Sequence, residues 1–398
     1  MKILFTQHGL VRSGGTEFFV CEVASEFIRR GHQVAVYSGE CGPLAEKLAR
    51  RGILILDDPV KCPWVPDTIH GQHRELALRA ILSFPRTPAL LHIHGFLPAL
   101  EKPFRHPRIL RYLTTADSLS DHWSEAFHIP RESFITIPNH VDLERFRAGR
   151  RPPERPLKAL LYSNVKFSEE QLGHLRSACS NRGMTLQLAG RCNPSSGDVE
   201  RPEELLPLYD LVFGVGRSAL EAAACGCGVI PVFLDMAEEL LLPQTYDKLR
   251  GQNLSPRLSS HHRLCEQWIG SQMDRWDARL IAEASNMVRG SANLEATVSL
   301  LEKIHSDLCR ERLTGAERCW SEERDALEHF FANEGMRRLT RRHTDLMRKN
   351  MREKSSLEQR ITSIEGSLSW KLTAPLRWVD GLWNGWNRKD THPKDIDT

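Results

Sequence analysis

Short apolar runs alternate with longer helical patterns over about the first three hundred residues of the chain. After the apolar run Ile3–Thr6, apolar residues recur at helical spacing from Phe18 to Ile28, and another run follows at Gln33–Tyr37. Strand–helix–strand units of this kind form parallel sheets with crossover helices. The same pattern predicts a helix over Pro43–Arg51 and further strands at Ile53–Leu56, Ala89–Ile93, Tyr112–Thr115, Phe134–Ile137, Ala159–Tyr162, Thr185–Ala189, Leu211–Phe213 and Gly228–Phe233.

The segment Arg147–Pro156 interrupts this rhythm. Its sequence, RAGRRPPERP, is rich in Arg, Pro and Gly, which disfavour a helix and are typical of a linker. Because the strand–helix pattern restarts after it, we predict two α/β domains with doubly wound parallel sheets, at residues 1–150 and 155–305. We expect the two domains to face each other across a cleft.

The last part of the chain has a different pattern. Charged residues dominate from 315 to 368, and Leu357, Ile361, Ile364 and Leu368 keep the spacing of a coiled-coil seam, so we predict a charged helical extension there. Residues 369–398 form a Trp-rich amphipathic tail, and Trp prefers interfaces that are apolar on one side and wet on the other. Residues 322–389 are therefore a candidate contact for a membrane surface or a helical partner. Docking on the protein's own body and a solvated helix face stay open as alternatives.

Composition and charge exclude few classes of protein. The chain has 398 residues and a formal net charge of +3, which does not call for nucleic acid as a partner. No apolar run approaches the roughly 18–20 residues of a membrane-spanning helix, and the apolar start of the chain is too short for a signal peptide. The ten cysteines lack the spacing of a zinc site, so we expect no metal site and reduced thiols in a cytoplasmic protein.

Two glycine turns carry the candidate chemistry. Gly14 and Gly15 follow the first predicted strand, and Gly214 and Gly216 follow the strand Leu211–Phe213. A turn of this kind leaves backbone N–H groups free at a helix N-terminus, where the helix dipole attracts phosphate. Both turns are therefore candidate phosphate sites, although each signal is weak when it stands alone.

The second turn matches the G-x-G-x-x-A spacing of a dinucleotide-binding motif, from Gly214 to Ala219. That motif normally follows the first strand of its domain, whereas here it follows the third or fourth strand. Arg217 also adds a guanidinium that can make charge-assisted bonds to a diphosphate, and Glu221 can accept hydrogen bonds from ribose hydroxyls. These residues favour a nucleotide diphosphate with an attached sugar over NAD.

At these positions the chain resembles a known family. The segment Phe213–Val229, FGVGRSALEAAACGCGV, resembles the donor-site signature of the GT-B glycosyltransferases of family four. The segments SGGTE at 13–17, HIHG at 92–95 and IPNHVD at 137–142 are similar to further motifs of that family, in the same order. The resemblance covers about residues 1–305. The tail segment SLSWKLTAPLRW resembles an element at the end of some bacterial polysaccharide-assembly proteins.

The resemblance implies a GT-B fold and a retaining, metal-independent hexosyltransferase that needs no cofactor. Its donor would be a nucleotide sugar, and its acceptor a glycan or lipid-linked molecule of bacterial cell-surface polysaccharide or lipopolysaccharide synthesis. It also implies a cytoplasmic localisation, with peripheral contact to the inner face of the cytoplasmic membrane. The implied roles are diphosphate binding by Gly216, Arg217 and Ser218 with Asn164 and Lys166 in support, β-phosphate approach by Gly14 and Gly15, ribose binding by Glu221, and a sugar or acceptor contact by His94. His94 and Glu221 are the candidate catalytic residues.

The chain departs from the family pattern at three places. Phe213 stands where the commoner form has the first of two Glu residues, His140 replaces a Gly, and an Arg-Lys pair is absent after Ala159–Tyr162, where only Asn164 and Lys166 stand nearby. Three hypotheses therefore stay open. The chain is a glycosyltransferase, a related protein that binds the nucleotide sugar without catalysis, or a Rossmann-type oxidoreductase.

Overall fold

Seven parallel strands from the first part of the chain form one sheet, in the order β3-β2-β1-β4-β5-β6-β7. The structure is a computed structural model that describes residues 1–11, 14–96, 99–149, 151–193, 199–259 and 262–311. The coiled-coil segment predicted at 315–368 and the tail at 369–398 lie outside these residues. The elements of the first domain are β1 (Lys2–Gln7), α1 (Gly15–Arg29), β2 (Gln33–Ser38), α2 (Pro43–Ala49), β3 (Leu54–Leu56), β4 (Thr68–Gln72), α3 (Arg74–Ser83), β5 (Ala89–Ile93), β6 (Ile109–Thr114), α4 (Asp117–Phe127) and β7 (Phe134–Thr136).

Strand β4 lies at the centre of this sheet, between β1 and β5, and the sequence analysis did not predict it. Its sequence, TIHGQ, has a single large apolar residue, Ile69, so it lacks the apolar run of a buried strand. All five of its residues are nevertheless buried, and hydrogen bonds to other segments hold most of its polar groups. The Thr6 hydroxyl, for example, donates to the Gln72 carbonyl O at 2.7 Å and accepts from the Gln72 N–H at 2.8 Å.

A second sheet forms the core of the second domain, in the order β12-β11-β10-β8-β9. Four of its strands are parallel, and the edge strand β12 is antiparallel to β11. Two buried apolar clusters, one around Leu160 and Val212 and one around Leu161 and Phe213, enclose this sheet. Its elements are β8 (Lys158–Tyr162), α5 (Glu169–Ser180), β9 (Thr185–Ala189), α6 (Pro202–Leu205), β10 (Leu211–Gly214), α7 (Arg217–Ala224), β11 (Gly228–Phe233), β12 (Met236–Ala237), α8 (Pro243–Gly251), α9 (Pro256–Ser259), α10 (Glu266–Met273) and α11 (Ala278–Ser291). The prediction of two α/β domains with parallel sheets is thus confirmed.

The last described helix, α12 (Leu294–Arg310), packs on the first domain although it follows the second domain in the chain. Its side chains Val298 and Leu301 belong to the same buried cluster as Ile3 and Phe5 of β1. The expected end of the second domain at residue 305 therefore falls inside a helix that the core of the first domain includes. The chain crosses between the two domains twice. No helix in the described part of the chain is both long enough and apolar enough to span a membrane.

Three buried imidazoles, here called the histidine chain, connect α12 with the first sheet. His305 Nδ1 lies 2.8 Å from Thr68 Oγ1, His305 Nε2 lies 3.1 Å from His70 Nδ1, and His70 Nε2 lies 3.2 Å from His92 Nδ1. A neutral imidazole has one donor and one acceptor nitrogen, so the three bonds all run in one direction. Burial lowers the pKa of His305 to about 3, and burial also lowers the pKa of His70 and His92 well below 6.5. The three rings of the histidine chain are therefore uncharged at neutral pH.

Candidate active site

Segments from both domains line one cavity of about 520 Å³. They follow the carboxyl ends of parallel strands, where α/β sheets bind their ligands, and the volume suits a small-molecule site. The lining includes seven residues that the sequence predicted: Gly14, Gly15, His94, Asn164, Arg217, Ser218 and Glu221. It also includes His73, Glu101 and Arg257, which the sequence analysis did not identify.

The turn between β10 and α7 is fixed by its own hydrogen bonds. Gly216 has φ +57° and ψ −120°, a backbone conformation that strongly favours glycine, and its N–H donates to the Leu254 carbonyl O at 3.0 Å. The Ser218 hydroxyl accepts from the Val215 N–H and donates to the Val215 carbonyl O, both at 3.0 Å. The Gly216 N–H, predicted to hold a diphosphate, is thus already paired, and Gly216 is not among the lining residues. The turn instead determines where the next residue, Arg217, is placed.

Arg217 is buried between the two domains. Its Nη2 lies 2.8 Å from Glu22 Oε2 and 2.9 Å from Glu22 Oε1, and 3.3 Å from Glu221 Oε1. Its Nε and Nη1 are buried and have no hydrogen-bond partner among the described residues. The Nη2 group of Arg217 thus joins α7 of the second domain to α1 of the first. Its Nε and Nη1 groups can still donate hydrogen bonds to a ligand.

Two carboxyl groups share this one guanidinium, and their pKa values move in opposite directions. Burial raises the pKa of Glu221 to about 7, because desolvation outweighs the attraction of Arg217 and the nearby Glu22 adds to the rise. Burial acts on Glu22 in the same sense, but Arg217 and a hydrogen bond from His140 overcome it and lower its pKa to about 2. Glu22 is therefore the ionised partner of Arg217, and Glu221 changes its charge near neutral pH.

His140 completes this group, at the position where the sequence departs from the family's Gly. Its Nε2 lies 3.0 Å from Glu22 Oε2. Burial lowers the pKa of His140 despite the neighbouring Glu22 carboxylate, so the ring is neutral and its Nε2–H donates to Glu22. The sequence analysis missed Glu22, because a Glu within an amphipathic helix resembles a solvent-exposed position.

The glycine turn before α1 also lies at the cavity. A side chain at Gly14 would collide with the Glu17 carboxyl group, which folds back over the first turn of the helix, whereas a side chain at Gly15 would meet open space. Gly14 has the extended backbone of an N-cap residue, and its carbonyl O accepts from the Phe18 N–H at 3.0 Å. Gly14 thus leaves room for Glu17, and both glycines line the cavity as the sequence predicted.

His94 presents an acceptor nitrogen on the first-domain side. Its Nε2 lies 2.8 Å from Gln72 Oε1, which can only accept, so Nε2 carries the hydrogen. Burial and the neighbouring His92 lower the pKa of His94 well below 6.5, despite the opposing effect of Glu101. The ring is therefore neutral, and Nδ1 keeps a free lone pair with which it can accept a hydrogen bond.

Glu101 lies beside His94 and is nearly fully buried, with 5% of its surface exposed. Its Oε2 accepts from the His94 N–H at 2.9 Å, and its Oε1 lies 3.4 Å from His73 Nε2. Burial would raise the pKa of Glu101, but the contacts with His73 and His94 overcome that effect and lower it. Glu101 is therefore an ionised carboxylate in the cavity wall.

His73 is held in the orientation that this contact needs. Its Nδ1 accepts from the His8 N–H at 2.9 Å, and its backbone has φ +59°, which is uncommon for a residue other than glycine. His73 follows β4, and the sequence analysis missed His73 together with that strand. No local sequence pattern predicts Glu101 as a site residue, because its partners come from two other segments.

Of the two cations predicted at the donor site, Arg217 lines the cavity. Lys166, predicted in support of the diphosphate, is exposed and is not among the lining residues. Arg257 of α9 lines the cavity instead, with its guanidinium 4.8 Å from the centre of the Phe233 ring. Within the described residues, no group of three or more His, Cys, Asp or Glu side chains is arranged to hold a metal ion.

Comparison with known proteins identifies the fold. The structure resembles a glycosyltransferase of Rickettsia africae ESF-5, with 17% sequence identity over 78% of this chain and 99% of that chain and a TM-score of 0.57. It also resembles WaaG, a glycosyltransferase involved in lipopolysaccharide biosynthesis, with 14% identity over 79% of this chain and 100% of that chain and a TM-score of 0.51. No family model and no curated protein matches the sequence. The two domains therefore have the GT-B fold of these glycosyltransferases.

Proposed function

We propose that the chain is a glycosyltransferase, which moves a sugar from a nucleotide-diphosphate sugar to a glycan or lipid-linked acceptor. One observation carries the proposal: Arg217 lines the cavity while its buried Nε and Nη1 have no partner among the described residues. Buried donors are rarely left unpaired in proteins, so an anionic ligand that accepts from them accounts for their state. A diphosphate is such a ligand, and a guanidinium can bind it with two parallel bonds.

The donor diphosphate lies between Arg217 and the first turn of α1 at Gly14 and Gly15 in this proposal, with Ser218 and Asn164 beside it. Arg257 takes the supporting role that the sequence analysis gave to Lys166, since Arg257 lines the cavity. Glu221 accepts from the ribose hydroxyls. The His94 Nδ1 accepts from a hydroxyl of the transferred sugar or of the acceptor.

The reaction breaks the bond between the anomeric carbon and the diphosphate, and negative charge develops on the leaving oxygen. Arg217 stabilises that charge, because preorganised donors in a desolvated site are each worth about 3 kcal/mol of the barrier. With this stabilisation from side chains and helix N-termini, we propose a metal-independent hexosyl transfer that retains the anomeric configuration. Closure of the two domains around the donor would exclude water and limit its hydrolysis.

We also infer the wider setting. The GRSALEAAACG segment supports membership of family four, and the tail resemblance supports a role in bacterial cell-surface polysaccharide or lipopolysaccharide synthesis. We propose an acceptor-side domain at 1–150, which α12 completes, and a donor-side domain that begins at 155 and whose predicted end at 305 lies within that helix. A charged helical segment at 315–368 and an amphipathic tail at 369–398 would follow. Residues 322–389 would contact the inner face of the cytoplasmic membrane or a helical partner. No disulfide joins the nine cysteines in the described part of the chain, which supports a cytoplasmic location.

A binding protein without catalysis is the second candidate, because Phe213 replaces a family Glu and is fully buried in the second sheet's core. The oxidoreductase is the third. Its motif Gly214–Ala219 follows β10, the third strand of its domain in chain order, and the Gly216 N–H is already paired. Neither feature suits a dinucleotide pyrophosphate, so we place this candidate last.

Nucleotide binding distinguishes the three candidates. UDP, GDP or their sugars should raise the melting temperature of the full chain if it is a transferase or a binding protein, since ligands that bind only the folded state stabilise it. Stabilisation by NAD(H) alone would favour the oxidoreductase. Release of nucleoside diphosphate from the stabilising sugar, with a lipid-linked saccharide mixture as acceptor, separates the transferase from the binding protein.

Two variants test the site. Arg217→Ala should reduce turnover by about 100-fold or more, the effect of removing a group that acts on transition-state charge. Glu221→Ala should also abolish most turnover, because the donor loses its ribose contact. Arg29→Ala is the matched control, because Arg29 lies on α1 with 67% of its side chain exposed and pairs with Glu26 at the surface. Full activity of both site variants would contradict the assignment.

A further inference from the structure

The two sides of the cavity differ in their charged groups. Glu17 and Glu101 lie on the first-domain side, whereas Arg217 and Arg257 lie on the second-domain side together with Glu221. Cations on one side alone of a small site orient a ligand whose own ends differ in charge. A nucleotide sugar is such a ligand, because the diphosphate is anionic and the sugar ring is usually neutral.

Glu101 has no part in the binding of the diphosphate as proposed above. Its partners among the described residues are the His73 ring and the His94 N–H, and no guanidinium or ammonium group there neutralises it. The negative charge of a buried carboxylate acts strongly on other charges in the cavity when its two partners are weak or neutral, because little water screens it. Its two oxygens each retain a lone pair beyond the contact already made.

The same wall holds a second acceptor, the His94 Nδ1. His94 and Glu101 are joined by the bond between the His94 N–H and Glu101 Oε2, at 2.9 Å, so the two acceptors have a fixed relative position. Two neighbouring acceptors match the neighbouring hydroxyl donors of a sugar ring. These two acceptors cannot form a hydrogen bond with a group that can only accept, such as a carboxylate.

We propose that Glu101 is a specificity-determining residue, which makes the site accept nucleotide sugars with an uncharged ring and reject those whose ring carries a carboxylate. The inference rests on the proposed function, since it assigns the sugar class to the same cavity. His73 is a positioning residue in this arrangement: its Nδ1 is fixed by the His8 N–H, and its Nε2 faces Glu101 Oε1.

The expected discrimination is at least about tenfold. A ring carboxylate about 10 Å from Glu101 is repelled by more than about 1 kcal/mol at the effective dielectric constant of about 20 that suits protein sites, which corresponds to about tenfold in affinity. A ring that carries a hydroxymethyl group at the same carbon avoids this repulsion and can donate to the carboxylate.

Matched donors test the proposal in the full chain. UDP-glucose and UDP-glucuronate differ only in a hydroxymethyl group or a carboxylate at the last carbon, and so do GDP-mannose and GDP-mannuronate. Calorimetric titration should give at least tenfold tighter binding for the uncharged member of the pair that binds. Glu101→Gln should bring that ratio below about threefold. It should strengthen the binding of the uronate more than the binding of the free nucleoside diphosphate or the hexose, because the ring lies nearer to Glu101 than the diphosphate does in this proposal. Glu101→Asp keeps the charge and should keep the discrimination.

Glu125→Gln is the control, because it removes the same charge from an exposed position of the same domain. Wild-type protein that binds the uronate as tightly as the hexose overturns the inference without any variant, and so does a nucleoside diphosphate that binds while neither hexose does. An unchanged ratio in a folded Glu101→Gln variant also overturns it. In these three cases the proposed function stands. Absence of binding to all nucleotides refutes the proposed function and the inference with it.

Discussion

Acid should destabilise the protein through the histidine chain of His305, His70 and His92. Their pKa values in the folded protein lie below the ordinary value of about 6.5, because burial disfavours the charged ring. The unfolded chain therefore binds more protons than the folded protein below about pH 6.5. Stability contributed by the neutral rings is complete above that pH and is lost as the pH falls through it.

The magnitude follows from His305, whose pKa falls to about 3. A single imidazole that titrates at about 6.5 in the unfolded chain and about 3 in the folded protein lowers the free energy of unfolding by about 2 kcal/mol between pH 8 and pH 5. His70 and His92 change in the same direction and add to this loss. A whole domain is stabilised by roughly 5–15 kcal/mol, so the effect should be easy to measure.

Urea unfolding followed by tryptophan fluorescence at pH 8 and pH 5 is the assay. The loss of free energy on acidification should be about 2 kcal/mol smaller in His305→Gln than in the wild type, because Gln keeps a hydrogen-bonding side chain beside Thr68 but takes up no proton. His122→Gln, at an exposed position of α4, is the control for loss of an imidazole. An equal loss in wild type and His305→Gln would refute the reasoning.

Two further predictions concern the site. Arg217 opposes the effect of burial on Glu221, so Arg217→Ala should move the pKa of Glu221 above about 7, measured from the carboxyl carbon shift of glutamate-labelled protein. A pKa that stays at about 7 would show that the pair is not formed. Gly216→Ala should cost about 1–3 kcal/mol of stability in urea unfolding, since φ +57° with ψ −120° strains any side chain. Gly15→Ala, where the added carbon meets nothing within 4 Å, is its control, and equal costs would contradict the assignment.

The sequence predicted the elements whose signal is local. The strands β1, β2, β5 and β8–β11 are short apolar runs between helical patterns, and the helices α1 and α2 follow from apolar spacing. The turn at Gly214–Arg217 was predicted because glycine and an arginine at a helix start are visible within five residues. These features depend on neighbours in the chain, so a pattern along the chain is enough to find them.

The missed features depend on partners far away in the chain. Strand β4 is polar because His70 bonds to His305, 235 residues later. Glu22 is buried because it meets His140 and Arg217, 118 and 195 residues later. The sequence pattern marks both positions as polar, and only the tertiary contacts make them interior. The same reasoning applies to Glu101, whose carboxylate is held by His73 and the His94 N–H from other strand ends.

The position of α12 determines when the first domain can finish folding in the cell. Its last strand, β7, ends at Thr136, but Val298 and Leu301, which complete its interior, are made about 160 residues later. At synthesis rates of roughly 5–20 residues per second, that interval lasts about 10–30 s. During it the nascent first half exposes the apolar groove that α12 later fills. The first domain can therefore complete its fold only after the second domain has been synthesised. A truncated chain that stops before residue 294 should be bound by chaperones.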